Sequence, residues 1–235
     1  MSWRTLRLWV LSSLWGVILL LLASGYIIIQ TNHIDLFLFN HAIAFAGLFL
    51  INMSHALSGM SYFWKIGASK LAWRKELGVV GFVMALLHGT ISAFFLKPIY
   101  VFPDFIFDNP LPFIASSSAV LIFTMMFIVS NFGIPRKIGG ILWRQLLRVG
   151  YAGILLVMIH MFILAGPAWK NWLIRFQPVL PPLSLILFVF SVFVLLLRIA
   201  LWYSLRKKTV QTTSTITTQS SSIPNRPPTA VSMPN

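Results

Sequence analysis

The stretch RKELGVVGFVMALLHGTIS, residues Arg74 to Ser92, decides how this chain is to be read. Two cationic side chains open it and an almost wholly apolar run follows. At 1.5 Å per residue, about 20 such residues cross the ~30 Å of hydrocarbon in a bilayer. The run has that length, so it is a membrane span. His88 then stands near its middle, where an unsatisfied imidazole costs several kcal/mol, roughly. A residue at that depth needs a partner or a task.

The rest of the chain agrees with the span. Of 235 residues 58% are hydrophobic and 9% charged, whereas a soluble domain carries about a quarter charged residues. Lipid, not water, is the main solvent. Six stretches qualify as spans, at 9–29, 39–62, 77–97, 111–131, 143–166 and 179–203. The first, led by Arg4 and Arg7, has a signal-peptide look, but its apolar run is too long for an ordinary signal core and is read as a retained helix. The expected fold is an all-α integral membrane protein, a six-helix transmembrane bundle filling residues 1–205.

The net charge of +14 lies in short clusters between spans. Arg4 and Arg7 precede the first span, and Lys65, Lys70, Arg74 and Lys75 lie between the second and third. Arg136, Lys137, Arg144 and Arg148 lie between the fourth and fifth, and Arg206, Lys207 and Lys208 follow the sixth. The intervening loops carry few or none: TNHIDLF has no lysine or arginine, and KPIYVFPDFIFDNPLP sets Asp104 and Asp108 against Lys97. Basic clusters on alternate loops place both termini in the cytoplasm. The pattern also speaks against nucleic acid as a partner, since that requires a basic face interleaved with polar contacts. Residues 206–235, rich in Ser, Thr and Pro, are expected to form a disordered cytoplasmic tail. No internal repeat is evident from the sequence. Pro167, Pro178, Pro181 and Pro182 are expected at span ends.

With no cysteine, disulfides, iron–sulfur clusters and thiolate metal sites are excluded. Chemistry falls to the histidines. His33 and His41 lie near the outer edge within reach of interfacial water; His55, His88 and His160 lie inside spans. From Lys75 to His88 is 13 residues, roughly 20 Å of helix, and from Arg148 to His160 is 12, roughly 18 Å. Both helices run outward, so the two imidazoles reach similar heights. His55 is 10 residues from Lys65, about 15 Å from the inner edge, with Asn52 and Ser54 as polar company.

Gly81 precedes His88 by seven residues and Gly153 precedes His160 by seven. Seven residues are two turns with about 20° of drift, so each histidine has a glycine beneath it on its own face. Small residues there suit close helix packing. They equally suit a flat macrocycle held between two helices by two axial ligands. Two neutral imidazoles without cysteine fit haem iron in an electron-transfer site. Zinc takes four ligands, and the acidic residues Asp35, Glu76, Asp104 and Asp108 all lie near span edges.

The stretch from Arg74 to Ser92, together with SNFGIPRKIGGILWRQLLRVGYAGILLVMIH from Ser130 to His160, resembles the ferric reductase-like transmembrane family. The nearest branch is the haem-binding membrane subunit serving a periplasmic methionine sulfoxide reductase. The likeness covers roughly residues 40–200. It implies that His88 and His160 are axial ligands of a b-type haem, with Gly81 and Gly153 beside it. The family pattern has a further histidine thirteen residues before the later ligand; here that position is Leu147. The departure argues against a second, inner haem with the usual ligands and leaves one, toward the outer leaflet. His55 is a substitute ligand of lower standing.

The resemblance further implies a membrane electron-transfer subunit of an oxidoreductase in a bacterial inner membrane. Electrons would come from quinol or a separate cytoplasmic reductase and leave to an oxidoreductase partner on the outer side. No G-x-G-x-x-G and no soluble domain is present, so flavin is not expected in this chain. Arg74, Arg144 and Arg148 either neutralise haem propionates or only follow the positive-inside rule. The competing reading is a haem-free scaffold or small transporter whose buried histidines merely hydrogen-bond between helices.

Overall fold

A computed structural model of the chain describes residues 3–65, 71–96, 104–131 and 139–221. Lys70, Lys97, Arg136, Lys137 and residues 222–235 lie outside the described residues. Met1–Leu197 forms one compact unit and Arg198–Asn235 a second. The described residues fold into α1 (Trp3–Thr31), α2 (Leu36–Phe63), α3 (Trp73–Phe94), the short α4 (Asp104–Asp108), α5 (Pro110–Asn131), the short α6 (Gly140–Arg148), α7 (Gly150–Arg175) and α8 (Leu183–Ser221). Six of these are long and apolar enough to cross a membrane, as the sequence predicts. Helices are the only open-ended element that satisfies its own backbone in hydrocarbon.

Within the first unit α2 is the central helix. Half of its span is buried, against 17–22% for the other five. It starts cleanly because Asp35 caps it, the carboxylate accepting from Leu38 N–H at 2.7 Å. Helix α3 runs antiparallel to α2 along one seam. His88 meets the Asn40 carbonyl, Gly81 meets Gly47, and Arg74 exchanges hydrogen bonds with Ser54. The residue numbers in each pair sum to 128, and each step along either helix is seven residues. A seven-residue seam is what two α-helices produce when they pack at a shallow left-handed angle. Helix α5 packs against α7 in the same antiparallel sense, and α1 covers α2 and α3. The core joining these helices includes Ile51, Ala56, Phe82, Phe123, Ile154 and Met158, closed on one side by Val194 and Leu197 of α8.

Two expectations are corrected. The fifth span itself stands, at Gln145–Arg175, with a one-residue interruption at Val149 between α6 and α7. Pro167 does not end it, for α7 continues to Arg175. Trp169, 5% exposed, holds the continuation by donating from Nε1 to Ser184 Oγ at 2.9 Å. Lastly, residues 206–221 continue α8. A helix already nucleated adds one backbone bond per residue fixed, so composition alone does not stop it. In the second unit, the Arg206 guanidinium lies over the Trp202 ring at 4.7 Å.

Candidate functional site

His88 is held by α3 and donates to α2. Its Nδ1 lies 3.2 Å from the Asn40 carbonyl oxygen. A carbonyl only accepts, so Nδ1 carries the proton and Nε2 keeps the lone pair. The neighbourhood is fastened by Asn40 Nδ2 donating to Ser92 Oγ at 2.9 Å, and by Ser92 Oγ donating to the His88 carbonyl at 2.9 Å. His160 on α7 repeats the arrangement. Its Nδ1 lies 2.9 Å from the Pro112 carbonyl on α5, which fixes the same tautomer. His88 lies within electrostatic reach of both His160 and His41. Helices α3 and α7 are not packed backbone to backbone; α5 contacts both.

The correspondence between the two histidines extends further. Each bonds to a carbonyl 48 residues earlier, and the two pairs are displaced by 72 residues (160 − 88 and 112 − 40). Gly81 packs on Ile51 as Gly153 packs on Phe123, again 72 apart. Gly78 faces Ser54 as Gly150 faces Met126, with the same displacement. Hairpins α2–α3 and α5–α7 are therefore structural copies, and G-x-x-G-x6-H occurs in both, at Gly78–His88 and Gly150–His160. This corrects the expectation that the chain lacks an internal repeat. Beyond that motif few side chains are shared, and the matched contacts are what establish the repeat.

The glycines do not open space for a macrocycle beside the histidines, as their spacing suggested. A Cβ built on Gly81 would stand 2.6 Å from the Gly47 carbonyl oxygen, and one on Gly153 2.9 Å from the Phe123 ring. Both serve close helix contact. The donor set by itself does suit haem iron. An axial imidazole bonds through a neutral Nε2 while its Nδ1–H is anchored on an acceptor. His88 and His160 both present that arrangement, and neither Nε2 makes a hydrogen bond among the described residues.

His55 sits elsewhere, at the end of the bundle that bears Arg74 and Lys75. It is 4% exposed, with Nδ1 2.9 Å from the Ile51 carbonyl and, among the described residues, no partner on Nε2. A Cβ on Gly150 would collide with that nitrogen and with Met126 Sδ, so Gly150 and Met126 close over it. That cover leaves no face for a macrocycle on Nε2, which speaks against His55 as a substitute iron ligand. The polar company expected of Asn52 and Ser54 points away. Asn52 donates to Ser191 and Ser54 to the Arg74 carbonyl, because residues so close on a helix face different neighbours. Instead Tyr151 OH donates to the His55 carbonyl at 3.2 Å, its ring 4.9 Å from the imidazole.

A cavity of about 160 Å³ lies beside His55 and is also lined by Arg74, Trp143 and Leu147. Leu147 thus shares one chamber with His55, which separation in sequence concealed. Arg74 Nε donates to the Ser54 carbonyl, Arg148 is exposed, and the Arg144 side chain lies outside the described residues. His33 is exposed against the Thr31 carbonyl, and His41 is exposed with the Phe37 ring edge-on at 4.3 Å. Among the described residues no group of three or more His, Asp or Glu converges as a metal site. Compared with models of known protein families and with curated proteins, the sequence matches none.

Proposed function

We propose that the chain binds one b-type haem through His88 and His160 and passes single electrons toward the outer side of the membrane. The observation that supports this most is the matched pair itself. Two hairpins, 72 residues apart, each present one imidazole with its Nδ1 on a backbone carbonyl and its Nε2 free of hydrogen bonds among the described residues. A helix packing residue has no need for this anchoring to be duplicated in both copies.

The Asn40 and Pro112 carbonyls orient the rings and keep the lone pairs on Nε2. When bound, bis-histidine haem supplies reversible one-electron chemistry with both axial positions closed. The surrounding core keeps water away, and hydrogen bonds to the imidazoles tune the potential. Electrons would enter from quinol or a separate cytoplasmic reductase and leave to an oxidoreductase partner. The chain would then serve as the membrane subunit of such a system in a bacterial inner membrane.

The test is an optical spectrum of the full chain purified in detergent. A Soret band that shifts on dithionite reduction is expected, lost in His88→Ala and in His160→Ala and kept in His33→Ala. A preparation grown with ample haem that shows no such band, or bundle variants that keep it, overturns the reading.

A further inference from the structure

The chamber beside His55 lies where the two hairpin copies face each other. Its lining pairs Lys75 with Leu147 and Leu71 with Trp143, each 72 residues apart. The copies differ here in charge. Arg74 and Lys75 stand on α3, and their counterparts on α6 are Leu146 and Leu147. One wall is therefore cationic, while Phe123, Met126 and Phe127 of α5 with Leu147 make the other apolar. Leu71 and Lys75 are exposed, so the chamber reaches the protein surface.

Charge and donors there favour an anion. Among the described residues no carboxylate lines the chamber, and Glu76, in the same turn as Arg74 and Lys75, is buried and does not line it. The Arg74 charge reaches inward as far as His55. Trp143 Nε1, buried and without a partner among the described residues, can only donate. Lys75 and Trp143 stand in the first turns of α3 and α6, neither of which has a side-chain cap, so both helix dipoles add to the positive field. Water enters such a chamber and satisfies the indole; the single sign of charge then concentrates anions in it. His55 takes no part, since Gly150 and Met126 cover its Nε2.

We propose that this chamber holds the phosphate of an anionic phospholipid, its oxygens facing Arg74 and Lys75 and accepting from Trp143 Nε1, with the start of an acyl chain along the apolar wall. Its position fits. The chamber lies at the end of the bundle that carries Arg74 and Lys75, which the positive-inside rule sets at the anionic inner leaflet. A free phosphate ion would use the same donors but leave the apolar wall uncovered. Binding there requires neither haem nor an electron donor.

In the test, the full chain purified in detergent is titrated with dioleoyl phosphatidylglycerol or dioleoyl phosphatidylcholine and read by native mass spectrometry. One phosphatidylglycerol per chain is expected to bind saturably, about tenfold or more tighter than phosphatidylcholine. Lys75→Gln removes a charge, Leu147→Trp fills the chamber, and each lowers that preference about fivefold or more. Arg7→Gln, which removes an exposed cation on α1 outside the chamber, leaves it unchanged. Thermal midpoints show which variants are folded; should Leu147→Trp fail to fold, Lys75→Gln and Arg7→Gln carry the test. Equal affinity for the two lipids overturns the proposal, as does an equal loss in Arg7→Gln, which would mean a general surface field. Millimolar inorganic phosphate is expected to leave the lipid bound; displacement would assign the chamber to free phosphate and overturn the lipid.

Discussion

Gly47 and Gly81 touch backbone to backbone at the midpoint of the α2–α3 seam. A Cβ on Gly81 would stand 2.6 Å from the Gly47 carbonyl oxygen, and one on Gly47 2.9 Å from the Gly81 carbonyl oxygen. Neither carbonyl can move without shifting a helix.

This contact sets an order among glycine substitutions. In a helix interior alanine gains up to about 1 kcal/mol over glycine, while overpacking costs about 1–3 kcal/mol. Gly25 has nothing within 4 Å of a new Cβ, so Gly25→Ala is stabilising. Gly153→Ala presses on the Phe123 side chain, which can yield, and costs less than Gly81→Ala, which presses on backbone. Unfolding midpoints in mixed detergent, read by circular dichroism, test the order. Equal midpoints for Gly81→Ala and Gly153→Ala would refute it.

Asn52 and Ser191, both 0% exposed, join α2 to α8 through an Asn52 Nδ2 to Ser191 Oγ bond of 2.7 Å. Interhelical bonds of this kind contribute about 0.6 kcal/mol in membranes. Ser191→Ala leaves the Asn52 amide donor unsatisfied. Adding Asn52→Leu removes that orphan, so the double variant is the more stable of the two. A double-mutant cycle measures the coupling, and strict additivity would show that the bond carries none.

Pro167 interrupts the backbone bonding of α7 without ending the helix. Pro167→Ala restores the missing N–H and raises stability, by at most about 3 kcal/mol. Trp169→Phe keeps the ring but loses the bond to Ser184, a cost of about 1 kcal/mol. If the proline variant unfolds earlier than the wild type, the proline's fixed local geometry is needed by its neighbours.

His88 is oriented by the main chain of Asn40, not by its side chain. On the haem proposal, Asn40→Ala is therefore expected to retain the cofactor, as is His41→Ala, and His88→Ala to lose it. Pyridine haemochrome assay of the purified variants gives the stoichiometry. Loss of haem in Asn40→Ala would mean that the Ser92 bond, not the carbonyl, positions the ring.

Read alone, the sequence determined the spans, because a run of apolar residues as long as the bilayer is thick admits only a helix that satisfies its own backbone. It also determined which histidines lie inside spans and how far each lies from a basic edge, since helical rise converts residue counts into depth. It misplaced the end of the fifth span at Pro167: whether a helix survives a proline depends on neighbours such as Ser184, which lie elsewhere in the chain. Only the tertiary structure decided which way each face turns. Gly81 and His88 do share a face, but that face is spent on α2, so the glycine abuts Gly47 instead of opening a space. The repeat of hairpins and the chamber around His55 were equally out of reach. Both consist of contacts between residues 24 to 96 positions apart, and local periodicity records the direction of a side chain without recording what it meets.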